Sequence, residues 1–412
     1  LTNIMKNLGI KISLFINYFV FAILLNSVGI VILKSQNNFG VDEVQASILE
    51  AFKDLPIAIV SFFVASFLPR LGYKKAMLIA LGLVTAACIV MFYGNSFDSA
   101  KILFAAVGVS FALIKVSVYS MIGMVTSNEK EHNSFMSSIE GVFMIGIALA
   151  YFLFPAFNID GKPDSWLNVY WLLAGLSILS FIFLLFTKFE TEIEIPGANV
   201  LDDFKQMFRL MSKVLIIVFV ISAFLFVMIE QGIMTWLPSF NDKVLKLPEN
   251  ISIMMASILA VCLAVGRLLA GVITRKVNWI WVLTTCTILA MLVVIFVLPK
   301  TLNVSVGKIE SITDIPLIGF AFPIVGLFLA PIYPLLNSVV LSALPKKLHS
   351  PMTGLIVVFS ALGGTLGSRA IGWLFKSQGP ENAFYYTLIP MSLLLISYFI
   401  LKNLTSKNAL NA

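Results

Sequence analysis

The chain has 412 residues, of which 59% are hydrophobic and 12% are charged, and its formal net charge is +7. A soluble globular domain is about 45–50% apolar and about 25% charged, so this composition excludes an ordinary soluble protein and indicates one that crosses a membrane many times. The basic residues lie in short loops between apolar segments, which is typical of membrane topology and argues against nucleic-acid binding.

Twelve apolar segments are long enough to cross a bilayer, because about 20 residues at about 1.5 Å each span its ~30 Å hydrocarbon core. The first has a basic lead-in like that of a signal peptide, but its apolar stretch is too long for one and no small-residue cleavage site follows. The predicted spans are residues 11–33, 44–69, 75–94, 101–126, 134–155, 168–187, 213–238, 250–272, 279–298, 315–343, 351–376 and 384–402.

The second span carries three charged residues on one helical face. Glu50, Lys53 and Asp54 are spaced i, i+3 and i+4. Charge at membrane depth is costly and normally faces a protein interior or a water-filled cavity. The sequence therefore predicts a helix that lines a pathway and ends in the basic turn at residues 70–75.

The Lys and Arg distribution sets the predicted orientation. With both termini in the cytoplasm, sixteen of these residues fall on the cytoplasmic side and eight on the opposite side, which satisfies the positive-inside rule. The other four lie inside the membrane: Lys53, Lys115, Arg267 and Arg369.

The longest polar break separates the sixth and seventh spans. Within it Leu201, Phe204, Phe208 and Met211 recur at helical spacing beside charged residues, which predicts an amphipathic helix on the cytoplasmic surface. The predicted domains are an N-terminal six-helix bundle at 1–187, a linker at 188–212 and a C-terminal six-helix bundle at 213–412.

The turn after the second span and its counterpart after the eighth span carry a repeated basic motif. Arg70, Gly72, Lys74 and Lys75 match a signature that reads Gly-x-x-x-Asp-Arg-x-Gly-Arg-Lys-Lys, although residues 65 and 69 are Ala and Pro. Together with the six-plus-six topology, this motif resembles the major facilitator superfamily of secondary transporters. The resemblance implies an all-α polytopic membrane protein, with twelve transmembrane helices in two pseudo-symmetric six-helix bundles.

Two further segments resemble one branch of that family. The run Gly326–Pro334 in the tenth span and Glu230 in the seventh are similar to the proton-coupled fucose-type sugar symporters. A drug-antiporter signature would need a Gly-x-x-x-Gly-Pro run in the fifth span, where Gly141 and Gly146 stand without that proline.

The resemblance implies that spans 1, 4, 7 and 10 line the cavity and that spans 2, 5, 8 and 11 form the seam between the halves. Glu140 and Arg267 would then lie at similar depths near the cytoplasmic side, and Arg369 at the depth of Asp54 or Glu50 near the outer side. We expect both sets to act as gating ion pairs, because alternating access needs contacts that form and break. The alternative is that each residue is satisfied within its own half.

Lys115 and Glu230 are the main candidates for the site. The Lys115 ammonium would favour an anionic or hydroxyl-rich solute, unless Asp54 is its structural partner. Glu230 suits proton carriage, as an intramembrane carboxyl often does, unless it only bonds a neighbouring helix; Asp54 is the second proton candidate. The remaining candidate substrate contacts, each of which could instead be a packing residue, are Asn17, Asn26, Trp236, Tyr333 and Asn337.

The sequence thus predicts a secondary active transporter, and specifically proton-coupled symport of a small sugar-like solute. Alternatives are transport of a small organic anion through Lys115, or export of a lipid or drug. The chain has no phosphate-binding loop and no catalytic constellation, so it is predicted to be neither an ATP-driven pump nor an enzyme.

The expected partners are a small-molecule substrate, a proton and the lipid bilayer, with no nucleic acid, and the expected form is a monomer in the plasma (inner) membrane. Three cysteines inside apolar spans and two histidines in loops predict neither disulfides nor a metal site. No cofactor is predicted.

Overall fold

The computed structural model of the protein is helical almost throughout. It describes residues 2–125, 129–159, 161–187, 205, 209–274, 276–302, 312–342, 344 and 349–410. Over these residues the only β-pairing is an isolated bridge between Ile159 and Lys162. The chain forms two compact units, Leu1–Gly40 with Phe52–Val200, and Val41–Ala51 with Leu201–Ala412.

The first unit contains the helices of the N-terminal half, except for the part of them within Val41–Ala51, which belongs to the second unit. The fourth helix begins in the second unit and continues into the first, and a 3-10 turn at Pro163–Asn168 precedes the last helix of the unit. The helices are α1 (Thr2–Asn26), α2 (Val28–Phe39), α3 (Glu43–Ala46), α4 (Ile48–Leu71), α5 (Tyr73–Gly94), α6 (Phe97–Val125), α7 (Glu129–Ala156) and α8 (Val169–Phe186).

The second unit contains the helices of the C-terminal half, together with α3 and the start of α4. A π-helical turn at Val293–Val297 and short 3-10 turns between Ile312 and Ile324 interrupt the regular helices. The helices are α9 (Val214–Lys243), α10 (Glu249–Ile273), α11 (Trp279–Leu292), α12 (Leu298–Leu302), α13 (Val325–Leu329), α14 (Ile332–Ser342), α15 (His349–Gln378), α16 (Pro380–Ala383) and α17 (Leu388–Leu410).

Among the described residues, eleven helical segments are long and apolar enough to cross a membrane. The second predicted span is the 24-residue α4, which carries Glu50, Lys53 and Asp54 near its start. The all-α polytopic fold predicted from composition is therefore confirmed. The predicted amphipathic helix of the linker falls largely outside the described residues and stays a prediction.

At two prolines the structure differs from the expected spans. The helix α9 continues through Pro238 to Lys243, five residues beyond the predicted end. The tenth span is broken rather than continuous, since α13 ends at Leu329 and α14 begins at Ile332, after Pro331. Proline has no N–H to donate to the carbonyl four residues earlier, so a helix at this point loses a hydrogen bond.

The second unit depends on a close approach between α9 and α15. A Cβ atom at Gly367 would lie 2.2 Å from the Met228 carbonyl oxygen, and one at Gly363 would lie 2.4 Å from the Phe224 carbonyl oxygen. Only glycine fits where two helix backbones approach this closely, which is the usual role of small residues between membrane helices.

We therefore expect Gly367→Ala to force α9 and α15 apart and to destabilise the protein by ~1–3 kcal/mol, as overpacking does. The measurement is the thermal unfolding midpoint in detergent. Gly271→Ala is the matched control, because a Cβ atom at Gly271 on α10 meets nothing within 4 Å. Equal unfolding midpoints for the two variants would contradict the packing argument.

Candidate functional site

A partly buried ion pair joins α9 and α10 in the second unit. Arg267 on α10 places its Nη2 atom 3.5 Å from Glu230 Oε1 on α9, and the Glu230 side chain is only 12% exposed. Glu230 lies 13 residues before Lys243, the last residue of α9, which is about 20 Å along the helix. The pair therefore lies deep in the membrane, where charge needs a partner of this kind.

Tyr333 and Asn337 on α14 join this pair in one polar cluster. The Tyr333 hydroxyl lies 3.0 Å from Ser360 Oγ, interacts with the Asn337 side chain, and is within electrostatic range of Glu230 and Arg267. The Tyr333 ring stacks on that of Phe226 at a centroid distance of 5.8 Å.

Asn337 brings an unused acceptor to this cluster. Its Oδ1 atom is buried and has no hydrogen-bond partner among the described residues. A buried polar atom without a partner is costly, so this position suits a ligand that can donate a hydrogen bond. Three sequence-predicted candidates, Glu230, Tyr333 and Asn337, thus lie together with the predicted gating residue Arg267.

The break between α13 and α14 explains how these helices meet. Pro331 cannot donate to the Leu327 carbonyl, and a Cβ atom at Gly266 would lie 2.4 Å from that carbonyl oxygen. Gly266 therefore lets α10 approach the broken backbone, with Arg267 as the next residue. Transporters commonly build substrate and ion sites at discontinuous helices of this kind.

The first unit contains a separate cluster around Glu140 on α7. Its Oε1 atom accepts hydrogen bonds from the hydroxyls of Tyr119 on α6 and Tyr18 on α1, the latter at 3.3 Å, and the two phenol oxygens lie 3.2 Å apart. The Lys115 Nζ atom lies 5.9 Å from the centroid of the Tyr119 ring. Sequence reasoning missed both tyrosines, because a Tyr in a highly aromatic chain carries no local signal of its partner.

Three predicted substrate contacts have hydrogen-bond partners within the protein. Trp236 is fully buried and its indole N–H donates to the carbonyl and hydroxyl oxygens of Ser368, at 2.9 and 3.1 Å. The Asn17 and Asn26 amides donate to carbonyl oxygens one turn earlier in α1, while the buried Asn17 Oδ1 atom, like that of Asn337, has no hydrogen-bond partner among the described residues. Trp236 is therefore better interpreted as a packing residue, because its side chain is buried and its N–H is already bonded to Ser368.

The predicted gating residues have partners within their own units. The Glu50 Oε2 atom accepts from the Thr235 hydroxyl at 3.0 Å, and Asp54 Oδ1 lies 3.5 Å from Lys53 Nζ. Glu140 bonds the two tyrosines and Arg267 bonds Glu230, as described above. The predicted pairing of Glu140 with Arg267 remains a prediction.

Arg369 has a peptide oxygen as its partner in this structure rather than the expected carboxylate. Its Nη1 atom lies 3.4 Å from the Val44 carbonyl oxygen. The reason is the close packing of α15 on α3: a Cβ atom at Gly372, nearly one turn later, would lie 2.9 Å from the Glu43 carbonyl oxygen. The side chain therefore reaches the α3 backbone first.

The basic turn after α4 has a structural role that the motif alone did not reveal. Gly72 has a φ of 85°, a conformation that favours glycine. The Lys74 Nζ atom donates to the Leu185 and Thr187 carbonyl oxygens, both at 2.9 Å. Lys74 therefore caps the C-terminal end of α8, where a cation is favoured. Lys75 is exposed, and the Arg70 side chain lies outside the described part.

The segment Val41–Ala51 is fixed to the second unit by ion pairs that sequence reasoning missed. Asp42 caps α3 by accepting from the Gln45 N–H at 2.8 Å, and its Oδ2 atom lies 2.8 Å from Lys376 Nζ. Glu43 pairs with Lys243. The hydrogen bond from Lys376, and then that from Gln45, lowers the pKa of Asp42.

A lowered pKa in the folded state means that Asp42 stabilises the protein above its unfolded pKa of about 4, and that this stability is lost as the pH falls through the folded value. We expect Asp42→Asn to lower the unfolding temperature slightly at pH 7, with the difference from wild type narrowing below pH ~4. Thermal melts across that range test this. A difference independent of pH would contradict it.

The comparisons with known proteins agree with this fold. The sequence profile of the Major Facilitator Superfamily matches residues 12–368. No curated protein matches the chain closely enough to count as a relative.

Solved structures of transporters share the fold over nearly the whole chain. A bacterial homologue of the human lysosomal transporter Spinster has a TM-score of 0.76 at 13% identity, covering 97% of both chains. The nucleoside transporter NupG has a TM-score of 0.73 at 13% identity, covering 96% of this chain and 98% of its own. The transporter FucP has a TM-score of 0.64 at 12% identity, covering 96% and 99%.

Proposed function

The chain belongs to the major facilitator superfamily, and from that membership we propose that it is a proton-coupled symporter of a small, hydroxyl-rich solute such as a sugar. As a family member it is a membrane transporter. The nature of the solute and the coupling ion are the proposed parts.

The polar cluster of the second unit is the observation that carries this proposal. Glu230 and the unpartnered Asn337 Oδ1 accept hydrogen bonds, Arg267 donates them, and the Tyr333 hydroxyl does both. The stacked rings of Phe226 and Tyr333 supply an apolar surface beside these groups. Convergent donors and acceptors beside aromatic rings suit a solute with several hydroxyls on a compact ring.

The names of the structural neighbours are consistent with this chemistry. They include a fucose:proton symporter at 13% identity, a D-xylose-proton symporter at 13% and a nucleoside transporter at 16%. Identity this low supports the fold alone, so the neighbours only make a hydroxyl-rich solute a reasonable first choice.

A second candidate function is transport of a small organic anion through Lys115. Its Nζ atom lies 5.8 and 5.9 Å from the ring centroids of Phe111 and Tyr119, so an ammonium reaches the aromatic cluster of the first unit. An anionic solute would use this charge. Export of a lipid or drug has no comparable observation in its favour.

The remaining sequence predictions are part of the proposal. Glu140 with Arg267, and Arg369 with Asp54 or Glu50, are proposed to gate the two sides in turn. The protein is proposed to act as a monomer in the plasma membrane with both termini in the cytoplasm.

The substrate site is tested by counterflow in proteoliposomes with labelled fucose, xylose, uridine and succinate. We expect Tyr333→Phe and Asn337→Ala to raise the apparent KM about tenfold, because each removes a hydrogen bond worth ~1–1.5 kcal/mol. Tyr398→Phe is the matched control, since that phenol bonds Thr287 inside the second unit and should leave the KM unchanged.

The same counterflow assay distinguishes the two candidate functions. Counterflow of fucose, xylose or uridine that is weakened in the Tyr333 and Asn337 variants favours the proposal. Counterflow of succinate alone, lost in Lys115→Ala and unaffected by Asn337→Ala, would move the site to the first unit and favour the anion function.

Gating by Glu140 and Arg267 predicts that charge reversal of one residue impairs counterflow and that reversal of both restores it, because the pair is re-formed with opposite signs. The variants are Glu140→Arg, Arg267→Glu and the double variant. If the double variant is no better than the worse single one, the pair does not gate.

A further inference from the structure

We propose that Glu140, with the hydroxyls of Tyr18 and Tyr119, is the protonation site of this transporter and carries the coupled proton. The sequence alone favours Glu230 or Asp54 as the proton carrier. The role in coupling rests on the proposed function, whereas the protonation site itself does not.

The three oxygen atoms form a closed triangle, each within hydrogen-bonding distance of the other two. Tyr18 and Tyr119 both reach Glu140 Oε1, and their two oxygens lie 3.2 Å from each other. Tyr18 is held in place by its packing on Phe143, at a ring centroid distance of 4.8 Å, and is only 2% exposed. Glu140 itself is partly exposed, so water can deliver a proton to it.

This triangle accommodates both protonation states of the carboxyl without losing a hydrogen bond. When Glu140 is ionised, both phenols donate to it. When a proton from water binds a carboxylate oxygen, the new O–H can donate to a phenol oxygen, because a phenol accepts as well as donates. The phenol hydrogens then turn toward the remaining oxygens, and release of the proton to water reverses the change. Only hydrogen atoms need to move.

The other intramembrane carboxyls with ionic partners lack this property. Glu230 faces the Arg267 guanidinium at 3.5 Å, which only donates and stays charged in proteins. Protonating Glu230 would therefore remove the charge attraction between the two side chains, and the guanidinium could not accept a hydrogen bond from the new O–H in exchange. Asp54 has the Lys53 ammonium at 3.5 Å and meets the same difficulty.

The helices packed around Glu140 bring two described cationic side chains to the area. Lys115 on α6 lies over the Phe111 and Tyr119 rings, and Lys11 on α1 lies 5.5 Å from the ring centroid of Phe135 on α7. Lys115 thus lies over one ring of the triangle, and Lys11 lies over a ring five residues before Glu140 on α7, while the phenols make the direct contacts to the carboxyl.

Infrared difference spectroscopy of the reconstituted protein between pH 8 and pH 5 tests the site without any solute. We expect a carbonyl band of a protonated carboxyl at the lower pH that disappears in Glu140→Gln and remains in Glu230→Gln and Glu50→Gln. Tyr18→Phe and Tyr119→Phe should keep the band but shift its frequency, because each removes one hydrogen bond from the carboxyl.

The other spectroscopic outcomes overturn the proposal. A band that survives in Glu140→Gln and is lost in Glu230→Gln or Glu50→Gln places the proton there instead. No band in the wild type, or a band whose frequency in both Phe variants equals that of the wild type, means that the triangle does not take up a proton.

Transport assays test whether the protonation site has a role in coupling, independently of the spectroscopic test of the site itself. With fucose, xylose and uridine as probes, Glu140→Gln should lose accumulation driven by a pH gradient. The Tyr18→Phe, Tyr119→Phe double variant keeps the carboxyl of the proposed gate, so it should reduce that accumulation but keep counterflow, which needs no net proton movement. Retention of gradient-driven accumulation in Glu140→Gln, or loss of counterflow in the double Phe variant, would overturn the coupling role. If the wild type transports none of these solutes but shows the infrared band, the proposed function is wrong and the protonation site is retained.

Discussion

The structure depends on one constraint: each charge placed inside a membrane helix needs a partner within the protein. The bilayer core offers no water to compensate it. Glu230 is compensated by Arg267, Asp54 by Lys53, and Glu140 by two phenols. Each unit supplies these partners from its own helices. The charged residues that made the sequence unusual are therefore distributed as local pairs and clusters.

Backbone geometry places those partners within reach of each other. Glycines at 363 and 367 let α9 and α15 touch, and Gly266 lets α10 touch the segment broken by Pro331. The carbonyl that Gly266 approaches is that of Leu327, to which Pro331 cannot donate a hydrogen bond. The break and the glycine therefore act together, and Arg267 and Tyr333 reach the Glu230 cluster because of them.

Sequence reasoning predicted the helical spans, the family and several members of the cluster in the second unit. It did so because apolar length and intramembrane charge are local properties of the chain. It failed where the result depends on a partner far away in sequence. By sequence Trp236 is a plausible substrate contact, but in the structure Ser368, 132 residues later, accepts its N–H. Tyr18 and Tyr119 matter only because both reach Glu140, 122 and 21 residues away.

The chemical identity of the partner matters as much as its presence. A guanidinium beside a carboxylate stabilises one protonation state, because it donates in both states and never accepts. A phenol can reverse the direction of its hydrogen bond, so it stabilises either state at similar cost. Under the two proposals the carboxyls serve different purposes: Glu230, beside the Arg267 guanidinium, belongs to the proposed substrate site, and Glu140 is the proposed proton carrier. In that arrangement proton exchange at Glu140 leaves the contact between Glu230 and Arg267 intact.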